Sequence, residues 1–206
     1  MQPRQRLYLV RHGESAGNVN PVLPRREDPP LTDRGRAQAR AAARALAPRG
    51  IARVFSSPLR RARETAQAIA ADIGVAVEIV DGLTEVDMGS LSDPRTPEER
   101  ALRDAILAGW LVDDRGRSFP AGEDWVGVVR RVEEELRGVM ERWPGRDVAI
   151  VTHRVALAAA ASLCTGVAAS LARGACANGS ITTLVREDAA IWTLERWGDA
   201  THLAAT

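Results

Sequence analysis

The chain holds three histidines, and two of them close apolar runs. Leu7-Tyr8-Leu9-Val10 leads into Arg11-His12-Gly13-Glu14, and Val148-Ala149-Ile150-Val151-Thr152 leads into His153. A neutral imidazole can attack phosphorus, and a guanidinium beside it offers a fixed fork of donors to phosphate oxygens. The segment from Ser56 to Ala66 adds more cations, at Arg60, Arg61 and Arg63. A helix is expected to start there, with Ser57 as its N-cap and Pro58 in its first position. Arg61 then falls near the first turn, where free backbone N–H groups and the helix dipole already favour anions. Two histidines and at least two arginines point to a site for a phosphate.

Such a site needs elements to carry its parts to one place. Short apolar runs without helical periodicity read as strands buried on both faces, the kind found in parallel sheets. In open α/β sheets ligands collect beyond the carboxyl ends of such strands. Strands are expected at 7–10, 53–56, 77–80, 148–152, 181–186 and 191–196, and helices at 33–47, 58–72, 97–110, 124–142 and 155–164. Thr96-Pro97-Glu98-Glu99 has the form of a capping box, and Gly50 and Gly74 fall where glycine ends a helix. The βαβα alternation implies an α/β fold, a three-layer αβα sandwich around a mostly parallel sheet. The whole chain, 1–206, reads as one domain. The stretch 89–124 lacks a buried-strand run and carries mixed charge, so it reads as a small helical cap inserted over the site, the alternative being a surface excursion.

Composition narrows the function classes. An apolar fraction of 45% is that of a globular protein, and a net charge of +1 gives no general attraction to nucleic acid or membranes. All 28 basic residues are arginines, a bias that fits a GC-rich coding sequence better than RNA binding, because no basic tail or aromatic ladder accompanies them. Cys164 and Cys176 match no zinc or redox spacing and read as small buried thiols, so neither a metal nor a cofactor is expected. The opening residues lead straight into a strand too short for a signal-peptide core, and the alanine-rich run from Val155 to Leu163 reads as a buried helix. A cytoplasmic protein acting on a small metabolite is expected, as a monomer or homodimer.

The chain is similar to the histidine phosphatase superfamily, the group that includes the cofactor-dependent phosphoglycerate mutases. The resemblance is carried by Arg11-His12-Gly13-Glu14-Ser15 with Asn18, and by Pro30-Leu31-Thr32 with Gly35 and Gln38-Ala39. It continues in Ser57-Pro58-Leu59 with Arg61-Ala62 and Thr65-Ala66, and in Leu83 with Glu85 and Gly89. Val151-Thr152-His153, Asn178-Gly179-Ser180-Ile181-Thr182 and a tail from Asp199 to Leu203 complete it. Each piece is weak alone; their order and spacing are specific.

The resemblance implies roles. His12 would be the nucleophile, its second nitrogen held by an acceptor such as a backbone carbonyl. Arg11, Arg61 and His153 would stabilise the transferring phosphoryl group. Glu85 would protonate the leaving oxygen, with the negative charge of bound phosphate favouring its protonated form. Ser15 and Asn18 would bind substrate; Arg154, which is not part of the family pattern, is read as a third substrate-binding residue. Arg60 and Arg63 compete with Arg61, and Asp87 with Glu85; His202 reads as a packing or surface histidine.

Two positions depart from the family pattern. Ser90-Leu91-Ser92 stands where many of the phosphatases have Trp-Glu-Gly, and Arg154 stands where glycine usually follows the second histidine. If that place requires a positive φ, arginine would be strained; otherwise its side chain either adds a cation to the pocket or flanks the helix facing solvent. The expected activity is a metal-independent phosphomonoesterase for small phosphorylated metabolites, working through a phosphohistidine. The alternative is a phosphoglycerate mutase, but mutases of the family carry Glu-Arg-His-Tyr-Gly at the acid, where this chain has Glu85-Val86-Asp87-Met88-Gly89. Phe119-Pro120-Ala121-Gly122-Glu123 also resembles a phosphatase segment. A non-catalytic phosphate-binding module is disfavoured, since every residue the chemistry needs is present.

Overall fold

A computed structural model describes residues 4–20, 28–111, 114, 116–165, 176–187 and 192–204. Strand β1 (Gln5–Arg11) is followed by a short helix α1 (Ala16–Val19) and by α2 (Asp33–Leu46). Then come β2 (Arg53–Ser56), α3 (Arg60–Ile73), β3 (Val77–Ile79), α4 (Pro97–Leu111) and α5 (Trp125–Arg142). The chain continues with β4 (Val148–Thr152), α6 (Arg154–Thr165), β5 (Ile181–Arg186) and β6 (Thr193–Asp199). One six-stranded sheet has the order β3-β2-β4-β1-β5-β6. β3, β2, β4 and β1 are mutually parallel, and β5 and β6 run antiparallel on the far side of β1.

The alternation within β1 explains the layers. Leu7 and Leu9 pack into the core beneath α5 and α6, whereas Tyr8 and Val10 pack into a second core with residues of α2 and α3. Positions 7–10 are therefore all apolar, because both faces of the strand are covered there. The same holds for β4, which is buried throughout. Both strands run in the same direction in the middle of the sheet, so Arg11 and Thr152 are register partners and the two histidines leave at one edge.

Most expected elements are found within a residue or two, with Gly50 (φ 68°) and Gly74 (φ 77°) in the left-handed conformation at helix ends. The capping box before α4 is present: the Glu99 N–H donates to Thr96 Oγ1, and the Thr96 N–H donates to Glu99 Oε2, both at 3.2 Å. One expectation is corrected. Helix α3 begins at Arg60 with Leu59 as its N-cap, so Ser57 does not cap it. Position 191 of the last expected strand lies outside the described residues; β6 is seen over Thr193–Asp199.

The 89–124 stretch contains α4, whose Trp110 is anchored in an aromatic cluster. Its ring lies 5.2 Å from Phe119 and 5.8 Å from Trp125, and its indole N–H donates to the Arg117 carbonyl at 2.8 Å. Among the described residues no helix is long and apolar enough to cross a membrane. Burial pushes the Cys164 thiol up to about 12 and raises that of Cys176, which makes both poor nucleophiles.

Candidate active site

The loop after β1 is shaped by close backbone contact. A Cβ on Gly35 would lie 1.9 Å from the Glu14 carbonyl oxygen, and one on Gly13 would lie 2.4 Å from the Gly35 oxygen. Only glycine at both places lets the first turn of α2 press against this loop. Side chains from two helices then fix it. The Gly13 N–H donates to Thr65 Oγ1 at 3.1 Å, and the Glu14 N–H donates to Gln38 Oε1 at 2.8 Å. From the other side the Gly179 N–H donates to the carbonyls of Arg11 and His12, and Asn178 Nδ2 donates to the His12 carbonyl. His202 lies against the Gly179 carbonyl at 2.9 Å, so its role is to brace this turn.

These supports set the orientation of His12. Its Nδ1 lies 2.7 Å from the Gly13 carbonyl, an acceptor, so Nδ1 carries the proton. Nε2 keeps its lone pair and accepts from Arg61 Nε at 3.2 Å. The reacting nitrogen is thus deprotonated and faces a guanidinium. Arg61 is also 3.6 Å from Asp28, a partner far away in sequence that has no local signature. Arg60 instead pairs with Glu64 at 2.7 Å, and Arg63 is exposed, so Arg61 alone of the three reaches His12.

His153 stands behind His12, with ring centroids 5.0 Å apart, and is fully buried. Ser57, displaced from its expected capping place, has its hydroxyl 2.7 Å from His153 Nε2. That hydroxyl oxygen also accepts from the Leu59 N–H at 3.3 Å; in the tautomer in which it donates to Nε2, the ring proton is on Nδ1. Nδ1 is buried without a hydrogen-bond partner among the described residues. A buried donor of this kind beside His12 is a place for an oxyanion. Burial above all, with the charges of His12, Arg61 and Arg11, holds His153 well below the ordinary imidazole range, so it is neutral at pH 7.

One cavity joins all the expected site residues but His153, which is buried behind His12. Arg11, His12, Ser15, Asn18, Arg61, Glu85 and Arg154 line it, with Pro29, Met88, Leu107 and Val155 as an apolar wall. Leu107 comes from α4, so the 89–124 stretch reaches the site. Asn18 Oδ1 accepts from the N–H and the hydroxyl of Ser15, each at 3.0 Å, and from Asn178 at 3.2 Å. The carboxamide oxygen is thereby occupied, and the amide NH2 remains as a neutral donor. Arg11 donates to the Cys176 carbonyl at 2.5 Å.

Glu85 lies across the cavity at the start of α6. Its Oε1 accepts from the N–H groups of Val86 and Val155, each at 3.1 Å. With Oε1 held, Oε2 is the atom able to carry and release a proton. Asp87 is exposed, does not line the cavity, and accepts from the Gly89 N–H at 2.9 Å, so it is only a neighbour. The loop behind Glu85 is fused to the Phe119–Glu123 segment, where a Cβ on Gly89 would lie 2.2 Å from the Pro120 oxygen and one on Gly122 would lie 2.5 Å from the Asp87 oxygen. Arg154 has no positive φ, which removes the question of strain there. No sequence pattern marks the apolar wall, because Pro29, Met88, Leu107 and Val155 share no spacing.

Known proteins resemble this chain over nearly its whole length. A probable phosphoglycerate mutase GpmB of Serratia proteamaculans (strain 568) is 34% identical, with 96% of this chain and 94% of that protein aligned. The structure of a mycobacterial glucosyl-3-phosphoglycerate phosphatase is 26% identical and superposes with a TM-score of 0.80 over 95% of this chain and 99% of that one. A phosphoserine phosphatase of Entamoeba histolytica, 23% identical with a TM-score of 0.80 over 97% of this chain and 99% of that one, shares the fold. The family model for the histidine phosphatase superfamily (branch 1) matches residues 7–200. The chain belongs to that superfamily, one of phosphatases and mutases.

Proposed function

We propose that the protein is a phosphomonoesterase that hydrolyses small phosphorylated metabolites in the cytoplasm, as a monomer or homodimer. The observation that carries this reading is His12 itself: Nδ1 fixed on the Gly13 carbonyl, Nε2 facing Arg61, and Glu85 across the same cavity. In the first step the Nε2 lone pair attacks phosphorus as the P–O ester bond breaks. Glu85 Oε2 gives its proton to the departing alkoxide. Arg11, Arg61 and the Nδ1–H of His153 hold the equatorial oxygens, while Asn18 and Ser15 line the pocket beside them. In the second step Glu85, now a carboxylate, takes a proton from water, whose oxygen attacks phosphorus and releases His12 and inorganic phosphate. The 89–124 stretch acts as a cap, with Leu107 against the alcohol part of the substrate.

The alternative, a cofactor-dependent phosphoglycerate mutase, is favoured by the names of the curated relatives. Against it, Val86 and Met88 turn two of the positions after the acid into buried apolar residues. Brief exposure to a reactive phosphomonoester should leave an acid-labile, base-stable phosphoryl group on His12, lost in His12→Ala together with turnover. Incubation with 3-phosphoglycerate and a trace of 2,3-bisphosphoglycerate should yield little 2-phosphoglycerate. Fast interconversion without phosphate release would establish the mutase, and substantial activity in His12→Ala would remove the mechanism.

A further inference from the structure

Three arginines and one carboxylate line the catalytic cavity. Two of those arginines already have partners in the protein: Arg61 donates to His12 and lies near Asp28, and Arg11 donates to the Cys176 carbonyl. The third, Arg154, is exposed, and no ion pair or hydrogen bond engages its guanidinium among the described residues. It is the first residue of α6, the end of a helix where the dipole disfavours a cation. Its backbone lies outside the left-handed region, so nothing local restricts this place to one residue type. Neither an ion pair nor the helix dipole accounts for arginine at this position.

Its place in the cavity indicates what the charge can meet. The next residue, Val155, supplies the N–H that holds Glu85, the group assigned to the leaving oxygen. Arg154 lines the cavity one residue before the N–H that holds Glu85, whereas Arg61 lies against His12. A phosphate dianion is met by Arg11 and Arg61, and the third cation is left over.

We propose that Arg154 selects phosphomonoesters whose alcohol part carries a carboxylate near the ester oxygen, such as phosphorylated hydroxy acids and amino acids. The planar guanidinium takes a carboxylate through two parallel donors, and the apolar wall of Met88, Leu107 and Val155 leaves the carbon chain between them desolvated. This rests on the assignment of the cavity as a phosphomonoester site, and a binding experiment separates the two. Calorimetry compares 3-phosphonopropionate with propylphosphonate, which differ by one carboxylate and cannot be hydrolysed. The wild-type protein should bind the first about tenfold more tightly, the advantage expected of one charge-assisted pair. In Arg154→Gln that advantage should fall to within about threefold, and Arg154→Lys should recover part of it. In turnover, the kcat/KM ratio of O-phosphoserine to O-phosphoethanolamine should drop by a similar factor in Arg154→Gln. A preference absent from the wild-type protein, or undiminished in Arg154→Gln, overturns the proposal, as does failure to bind either phosphonate. A preserved phosphonate preference with no phosphate released even from p-nitrophenyl phosphate would instead overturn the hydrolase reading and leave Arg154 in its role.

Discussion

Arg131 and Glu123 form a forked pair, with Arg131 Nε donating to Oε1 at 2.6 Å and Nη2 donating to Oε2 at 2.9 Å. The remaining nitrogen of Arg131 donates to the carbonyls of Gly82 and Thr84, while Glu123 Oε2 accepts from the Asp87 N–H at 2.8 Å. The pair thus grips the chain on both sides of Glu85 without touching Glu85. Arg131→Met removes the grip and lets the acid wander, and a displacement of the order of 1 Å costs up to about 100-fold in rate. The expected loss with an alkyl phosphate is about 10- to 100-fold. It should be much smaller with p-nitrophenyl phosphate, whose phenolate leaves without help. Equal losses with both substrates would show that Arg131 acts on the whole fold.

Glu85 should show the same dependence more strongly. Glu85→Gln is expected to lose about 10²- to 10⁴-fold with an alkyl phosphate, the range of general acid catalysis, and much less with p-nitrophenyl phosphate. Asp87→Asn should show no dependence on the leaving group. If the dependence appears at position 87 instead, the proton comes from there.

His153 makes stability depend on pH. Its native value lies well below the ordinary 6.5 because the ring is buried and neutral. Between the two values the unfolded chain binds the extra proton, so stability is full above about pH 6.5 and falls as pH drops below it. The slope is at most about 1.4 kcal/mol per pH unit for one group. Urea midpoints measured at pH 7 and pH 5 should show the decline, and His153→Gln should flatten it. An unchanged slope in that variant would assign the effect to other groups.

Gly35→Ala should be destabilising, since the added methyl would lie 1.9 Å from backbone at Glu14. Overpacking of this kind costs about 1–3 kcal/mol, and the melting temperature should fall by several degrees. Gly50→Ala makes a control, because its added Cβ has open space and only the left-handed backbone resists it.

The fold was legible because its signals are local. Runs such as Leu7–Val10 and Val148–Thr152 need no partner to be recognised, and Gly50, Gly74 and the Thr96–Glu99 pair mark helix ends by their own chemistry. Arg11, His12 and His153 were readable for the same reason, as residues that close strands. What was hidden depends on distant partners. Ser57 resembles an N-cap because proline follows it, yet its hydroxyl is taken by a histidine 96 residues away. Arg61 could be separated from Arg60 and Arg63 only by family spacing; in space the choice is made by His12, in the loop after β1. The Arg131–Glu123 grip joins a helix to a loop, and no periodicity announces it.

β1 has an unusual history during synthesis. Its two neighbours are β4 and β5, and Leu7 finds its register partners at Val148 and Leu184. At about 5–20 residues per second the ribosome needs roughly ten seconds or more to deliver the first of them. Throughout that interval Leu7-Tyr8-Leu9-Val10 is a bare apolar segment with both edges open, a natural client for a chaperone and a seed for aggregation. The strand that leads into His12 is the first made and the one that waits longest for a partner.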